Sequence, residues 1–263
     1  MSYEAFEFTV ADGVAHVVWN QPERGNPIDE TFCRKLAAIA VECDGRPEVR
    51  AVLMEARGRH FSVGGDLKSF VRDRDSLPRF VKHAAGLVNG AVSRLARMDA
   101  PLVMVCHSLV TGGAVGLTAA ADFALAPADS RFYAAFTGIG FSCDCGTSYH
   151  LPRRVGTRRA FEFLVRNQTW SATQALEYGL VNEVLPDEEL ARARGRALAA
   201  ELAVGPTRAY GEIKRLFAST FEQPLEAQLE AEARAIANVS ASDDCWQAFH
   251  AVLAKQKPEF RGR

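Results

Sequence analysis

Two stretches of this chain share one plan, an apolar run that ends in a glycine-bearing loop. Ala51-Val52-Leu53-Met54-Glu55-Ala56 runs into a loop from Gly58 to Asp66, and Leu102-Val103-Met104-Val105-Cys106, opened by Pro101, leads to Thr111-Gly112-Gly113-Ala114-Val115-Gly116. Short apolar runs bounded by turn residues read as buried strands. Between them Phe80, Ala84, Leu87, Val88, Ala91, Leu95 and Met98 recur at helical spacing. Strand, loop and helix in alternation give an α/β architecture whose strands feed their loops at one end.

The flanking segments fit that frame. Phe6, Phe8 and Val10 alternate up to Asp12-Gly13, and Val14 to Trp19 follow, which reads as a hairpin. Residues 20–27 are a loop, after which Asp29 can cap a helix bearing Phe32, Leu36, Ile39, Ala40 and Cys43. Ser171 with Gln174 forms a capping box. Beyond Asn182-Glu183-Val184 the pattern is helical: Pro206 suits a first helical turn, Leu225, Leu229, Ile236 and Ala237 form one apolar stripe, and Trp246, Phe249, Val252 and Leu253 form another. This divides the chain into a catalytic part, residues 1–200, and a helical part, residues 201–263, whose excess apolar surface suggests oligomerisation.

Composition narrows the function classes. With 48% hydrophobic and 24% charged residues and a formal net charge of -1, the chain is an ordinary globular one without the basic surface that nucleic acid or an anionic membrane requires. No apolar run approaches the roughly 20 residues of a membrane helix, and the first residues lack the pattern of a signal peptide. Six scattered cysteines fit free thiols in a reducing compartment. The expected location is the cytoplasm.

The chemistry is expected between Phe132 and Arg153, where Asp144 is the one acidic residue. Phe136, Ile139, Phe141, Cys143 and Cys145 around it would exclude water, and desolvation raises a carboxylate toward the range of a base. The same aspartate could instead cap a helix or open a turn before Gly146. The two glycine loops each offer backbone N–H groups at a strand-to-helix junction, and two such groups aimed at one point make an oxyanion hole. Other motifs carry less. Neither loop completes a dinucleotide fingerprint, Asp144, Ser148 and His150 lack a nucleophile elbow, Cys143-x-Cys145 lacks a second ligand pair for a metal, and His107 reads as a structural histidine. Ser148 and Tyr149 could line a pocket or pack a helix.

With these residues in place, the chain resembles the crotonase, or enoyl-CoA hydratase/isomerase, superfamily. The matching residues are Asn20 to Asn26, the F-S-x-G-x-D-L loop at Phe61 to Leu67, Gly112-Gly113 with Ala121-Asp122, Phe132 to Gly156, Ala175 with Gly179-Leu180-Val181, and Lys257 to Phe260. The resemblance implies a spiral of strand-strand-helix repeats with a C-terminal helical trimerisation region, trimers that can pair into hexamers, and an acyl-coenzyme A substrate with no further cofactor and no metal. It puts the oxyanion amides on Gly65 and Gly113, and substrate contacts on Arg24, Ser62, Val63, Lys68, Phe136, Tyr149, Lys255, Lys257 and Phe260. The two glutamates of family hydratases fall on Gly116 and Phe136, so neither is present. Asp144 falls where Δ3,Δ2-enoyl-CoA isomerases keep a single acid/base, and the surrounding residues look like the isomerase branch acting in phenylacetate degradation. The same position is the nucleophile of 4-chlorobenzoyl-CoA dehalogenases, whose supporting histidine and tryptophan fall on Asn89 and Phe136. Isomerisation is the expected reaction; weak hydration, dehalogenase-like chemistry and a silent acyl-CoA binder are the alternatives.

Overall fold

The hairpin forms as its alternation predicts. In a computed structural model that describes residues 2–262, β1 (Ser2–Tyr3), β2 (Phe6–Ala11) and β3 (Val14–Trp19) run antiparallel. The β2–β3 turn uses Asp12 and Gly13, both at positive φ, the conformation a two-residue hairpin loop demands. Parallel strands follow: β4 (Ala51–Ala56) pairs with β3, then β5 (Leu102–Val105) with β4.

After β5 the chain leaves this sheet for a second one, making β6 (Leu109–Thr111), and repeats the move from β7 (Phe123–Pro127) to β8 (Arg131–Tyr133). The first sheet therefore reads β1-β2-β3-β4-β5-β7-β10, and the second β6-β8-β9, with β9 at Thr169–Ser171 and β10 at Glu183–Leu185. The expected spiral of strand-strand-helix units is this alternation between sheets. Glu183–Leu185 forms a strand parallel to β7, and beyond it the chain is helical, as its pattern indicates.

Helices explain why β4 is buried at every position. On one face α1 (Glu30–Gly45) and the long helix after the short α2 (Leu67–Phe70), α3 (Leu77–Arg97), cover Val52, Met54 and Met104 with Phe32, Leu36, Ile39 and Val88. Asp29 starts α1 as predicted, accepting from Phe32 N at 2.9 Å. The other face, Leu53, Val103 and Val105, meets Ala191, Leu198 and Leu202 of α8 (Glu188–Ala203). Both faces being dry, the strands need no polar alternation.

The remaining helices are α4 (Gly113–Ala120), α5 (Thr147–Val155), α6 (Thr157–Val165), α7 (Ala172–Tyr178), α9 (Thr207–Ser219), α10 (Leu225–Ser240) and α11 (Asp243–Leu253). The Ser171–Gln174 capping box opens α7. Pro206 is the cap residue of α9 and not part of its first turn. Helix α9 folds back through Lys214, whose ammonium meets Asp122 at 2.8 Å and the Leu95 and Ala100 carbonyls. The predicted stripes of α10 and α11 lie open, from Leu229 at 52% to Leu253 at 82% exposed. Among the described residues no helix is long and apolar enough to cross a membrane.

Candidate active site

The two glycine loops meet because their frames are stitched together. Asn26 donates to the Arg57 and His60 carbonyls, Ile28 N reaches Gly64 O at 2.8 Å, and Ser62 bridges to Val110. Gly64, at φ +85, lies so near β6 that a Cβ there would sit 3.1 Å from Thr111 Cγ2. The Ile28–Gly65 bridge uses the Gly64 carbonyl and leaves the Gly65 amide out. Gly113 is the first residue of α4, so its N–H has no carbonyl one turn back. Both glycines line a cavity of about 650 Å³.

Asp144 lines the same cavity. A Cβ placed on Gly113 would stand 3.4 Å from Asp144 Oδ1 and 2.6 Å from Cys145 Sγ, so carboxylate, thiol and glycine backbone are packed together. Helix α5 takes Gly146 as its cap residue and no side chain caps it; Thr147 N and Oγ1 both donate to the Asp144 carbonyl, at 2.9 and 2.6 Å. The carboxylate is therefore not spent on capping. Burial pushes its pKa up, opposed by a hydrogen bond from the Cys145 thiol and by its own backbone N–H. Burial and the Asp144 charge push Cys33, on α1, up to about 12.

The water-excluding shell differs from the one expected. Phe136, Ile139 and Phe141 do line the cavity, Ile139 from an exposed position, whereas Cys143 is absent from the wall. Cys145 packs beside the aspartate as expected, and Cys33 of α1 and Ile28, not expected from the sequence, lie close to the same group. Where a hydratase glutamate would project from position 116 there is no room. A Cβ on Gly116 would overlap Thr147 Oγ1 and lie 2.9 Å from the Cys145 carbonyl oxygen.

Among the residues assigned to substrate contact, Val63 and Phe136 line the cavity. Arg24 stands at its mouth, held by Asp29 at 2.7 Å and Asp66 at 3.2 Å, and Lys68 is exposed on α2 between the wall residues Leu67 and Ser69. Ser62 is buried in the loop frame, donating to Asn26 O and accepting from Gly64 N. Tyr149 lies elsewhere: its hydroxyl donates to Ala218 O at 2.5 Å, Arg153 stacks on its ring at 3.5 Å, and it lines a second cavity of about 520 Å³ between α5 and α9. Lys255 and Lys257 are exposed, and the Phe260 carbonyl is held by Arg50 beside the start of β4, at the end of that strand opposite the glycine loop.

The weaker motifs resolve as well. His107 bonds the Gly58 carbonyl at 2.9 Å, as a structural histidine would. Ser148 is exposed and His150 lines the second cavity, so no triad converges with Asp144. All six cysteines are free, and no cluster of three metal-ligating side chains occurs among the described residues.

The segment from Phe70 to Val88, which the sequence marks as a source of pocket wall, supplies Phe70 and Lys82, whereas Tyr133 and Thr111 are wall residues the sequence reading lacks. Phe70 packs over Gly65, where a Cβ would be 3.0 Å from its ring, and stacks on Phe141. Lys82 of α3 and Tyr133 of β8 also line the cavity. Thr111 pairs in register with Tyr133, so the two share a sheet face; it is 6% exposed and its hydroxyl has no hydrogen-bond partner. A hydroxyl directly before the glycine pair was the available signal.

A family model described as Enoyl-CoA hydratase/isomerase matches residues 9–263. The chain is 30% identical to the 1,2-epoxyphenylacetyl-CoA isomerase of Escherichia coli, over 97% of each chain, and 30% identical to the trans-2-decenoyl-[acyl-carrier-protein] isomerase of Streptococcus mutans, over the whole of both. A solved enoyl-CoA hydratase/isomerase structure from Mycobacterium abscessus superposes with a TM-score of 0.89 at 36% identity, covering 98% of this chain and all of the other. Hydratase and 4-chlorobenzoyl coenzyme A dehalogenase names occur among the relatives too.

Proposed function

The chain belongs to the enoyl-CoA hydratase/isomerase family, and within it we propose that this enzyme moves a double bond from C3 to C2 of an acyl thioester with Asp144 as its only acid/base. The Gly65 and Gly113 amides polarise the thioester carbonyl, which acidifies the C2 proton by stabilising the enolate. Asp144 takes that proton and returns it at C4 from the same face, so one carboxylate suffices. The observation that carries this reading is the packing of Asp144 Oδ1 against Gly113 while the space beside Gly116 is filled by Thr147. A base stands beside an oxyanion donor, and position 116 has no room for a second carboxylate to orient water.

The dehalogenase reading loses support on the same wall, since Asn89 is exposed on α3 and Phe136 replaces the tryptophan. Arg24, Lys68 and Lys82 are the cations placed to meet coenzyme A phosphates at the mouth. Lys255, Lys257 and Phe260 would reach an acyl-CoA only in a neighbouring subunit of a homotrimer, the assembly the open stripes of α10 and α11 favour. Residues 1–200 carry the catalysis and 201–263 the assembly, in the cytoplasm.

The test is a panel of 3-enoyl, 2-enoyl and haloaryl thioesters of coenzyme A and of acyl carrier protein, assayed with wild type and Asp144→Asn. Isomerisation that collapses in the variant is expected. Undiminished isomerisation in Asp144→Asn removes the aspartate from the mechanism; binding with no turnover of any substrate makes the protein a silent binder.

A further inference from the structure

Cys145, packed behind the cavity wall, sits where backbone preference disfavours a side chain. Its φ of +52 falls in the left-handed region, where a β-carbon is disfavoured and glycine costs nothing. Gly146 follows in the same conformation, so a glycine at 145 would relax the turn without altering its path. A side chain is held there against backbone preference, fully buried. Strain of this kind persists where the surroundings over-determine it.

The surroundings are the two groups of the proposed chemistry. Sγ sits 2.6 Å and Asp144 Oδ1 3.4 Å from one point, the place a Cβ on Gly113 would take. The sulfur thus lies against the backbone that carries the oxyanion amide and next to the Asp144 carboxylate, whose charged form it favours. We propose that Cys145 is a positioning residue, whose sulfur spaces the Asp144 carboxylate from the Gly113 amide and whose S–H holds the carboxylate's orientation. This rests on the single-base reading above. The thiol is no nucleophile: burial, and then the Asp144 charge, keep it protonated.

Other titratable groups line the same cavity: Asp29, the cap of α1, Glu30 and Cys33 of α1, Asp66, paired with Arg24, in the glycine loop, Lys82 of α3 and Tyr133 of β8. His150, further along α5, is held neutral, down to about 4, by burial and by Arg154 and Arg153. Cys145 alone of these both bears on the protonation of the carboxylate and lies against Gly113, so its removal has a distinct signature.

Cys145→Ala, Cys145→Ser and Cys145→Gly are compared with wild type for kcat, KM and pH profile in 3-enoyl-CoA isomerisation, and for the titration of a 13C-labelled Asp144 carboxyl by NMR. Cys145→Gly suits the left-handed backbone and guards against a variant that fails to fold. Alanine and glycine are expected to lower kcat on the order of 100-fold, as a misplacement near 1 Å does, with KM little changed. They also move the acid limb and the Asp144 titration to higher pH, because a donor to the charged form is gone. Serine retains the titration. Unmoved titration in both alanine and glycine, or losses of kcat that only follow the folded fraction, overturns the proposal. The titration is read on the resting protein, so it stands even where the isomerase assay itself fails.

Discussion

Gly116→Ala puts the closed water site to the sharpest test, because an alanine inside a helix ordinarily stabilises it by about 1 kcal/mol over glycine. Gly116 is in α4, buried throughout, and its missing Cβ is where α5 makes its closest approach. The new methyl would overlap Thr147 Oγ1, which cannot swing away without giving up its 2.6 Å hydrogen bond to the Asp144 carbonyl. The Cys145 carbonyl, 2.9 Å from the same point, is backbone and moves only with the turn. Relief therefore requires α5 to retreat by roughly 1 Å, and overpacking of this sort costs about 1–3 kcal/mol. Adding about 1 kcal/mol for the lost hydrogen bond and subtracting the helix gain leaves a net loss of about 1–3 kcal/mol. The melting temperature should fall about 2–4 °C for each of those.

Activity should suffer more than stability, since the displaced turn carries Asp144. A shift of that size at a reacting group costs on the order of 100-fold in rate. Urea unfolding and isomerase turnover are measured for Gly116→Ala, Thr147→Ala and the double variant. In the double variant the overlap with Oγ1 is gone, so the two changes together should cost less than their sum. A Gly116→Ala protein that is more stable than wild type and as active refutes the packing argument, and a Gly116→Glu protein that hydrates 2-enoyl-CoA refutes the claim that the site is closed.

Burial raises the Asp144 pKa in the folded chain, so folded protein holds a proton that unfolded chain has released, and stability falls as pH climbs through that window. Asp144→Asn should therefore unfold at higher temperature than wild type at pH 7, the gap closing below about pH 4. Thr111→Val replaces an unpartnered buried hydroxyl by a methyl of the same shape; it should stabilise the ligand-free protein by about 1–3 kcal/mol in urea unfolding, and no gain would mean the hydroxyl has a partner. Trp246→Glu with Leu253→Glu, on the open face of α11, should lower the mass seen in sedimentation to that of one chain; an unchanged mass moves the assembly interface elsewhere.

What the sequence disclosed was what acts locally. The alternation of β2, the apolar run of β4, the Asp29 cap and the Ser171 box are decided by neighbouring residues, and each appears where it was read. Strands β6, β8, β9 and β10 have three residues each, too few to display a period. Tyr149 was misjudged by direction. Thr147 and Leu151 of α5 are buried, and a residue two positions after Thr147 points about 200° round the helix, away from Gly113 and toward α9. Cys33 belongs to the apolar face of α1, and only the tertiary fold brings its thiol near Asp144. The tail could not be traced either, because Asp244 captures it by accepting from Arg261 N and Gly262 N, both at 2.7 Å.

Comparison with Glu55 shows what is particular about Asp144. Glu55 is buried and Asp144 partly so, and desolvation alone would push both up. At Glu55 burial is outweighed by the His16 hydrogen bond at 2.7 Å and the Arg192 charge at 3.4 Å, so its pKa ends below the usual range. Asp144 has a thiol and a backbone N–H but no cation, and burial prevails. Among the described carboxylates with a resolved shift it alone is pushed up. A cation would stabilise the charged form and make the group a poor proton acceptor; an apolar wall with no donor would keep it protonated and useless as a base. One weak donor in a desolvated wall lies between these limits, which is the poise that proton removal and return by a single group requires. In the proposed reaction the Gly65 and Gly113 amides, not a cation beside the base, would meet the charge that develops on the substrate oxygen, so the electrostatic work would fall on the enolate while the aspartate stays free to exchange its proton.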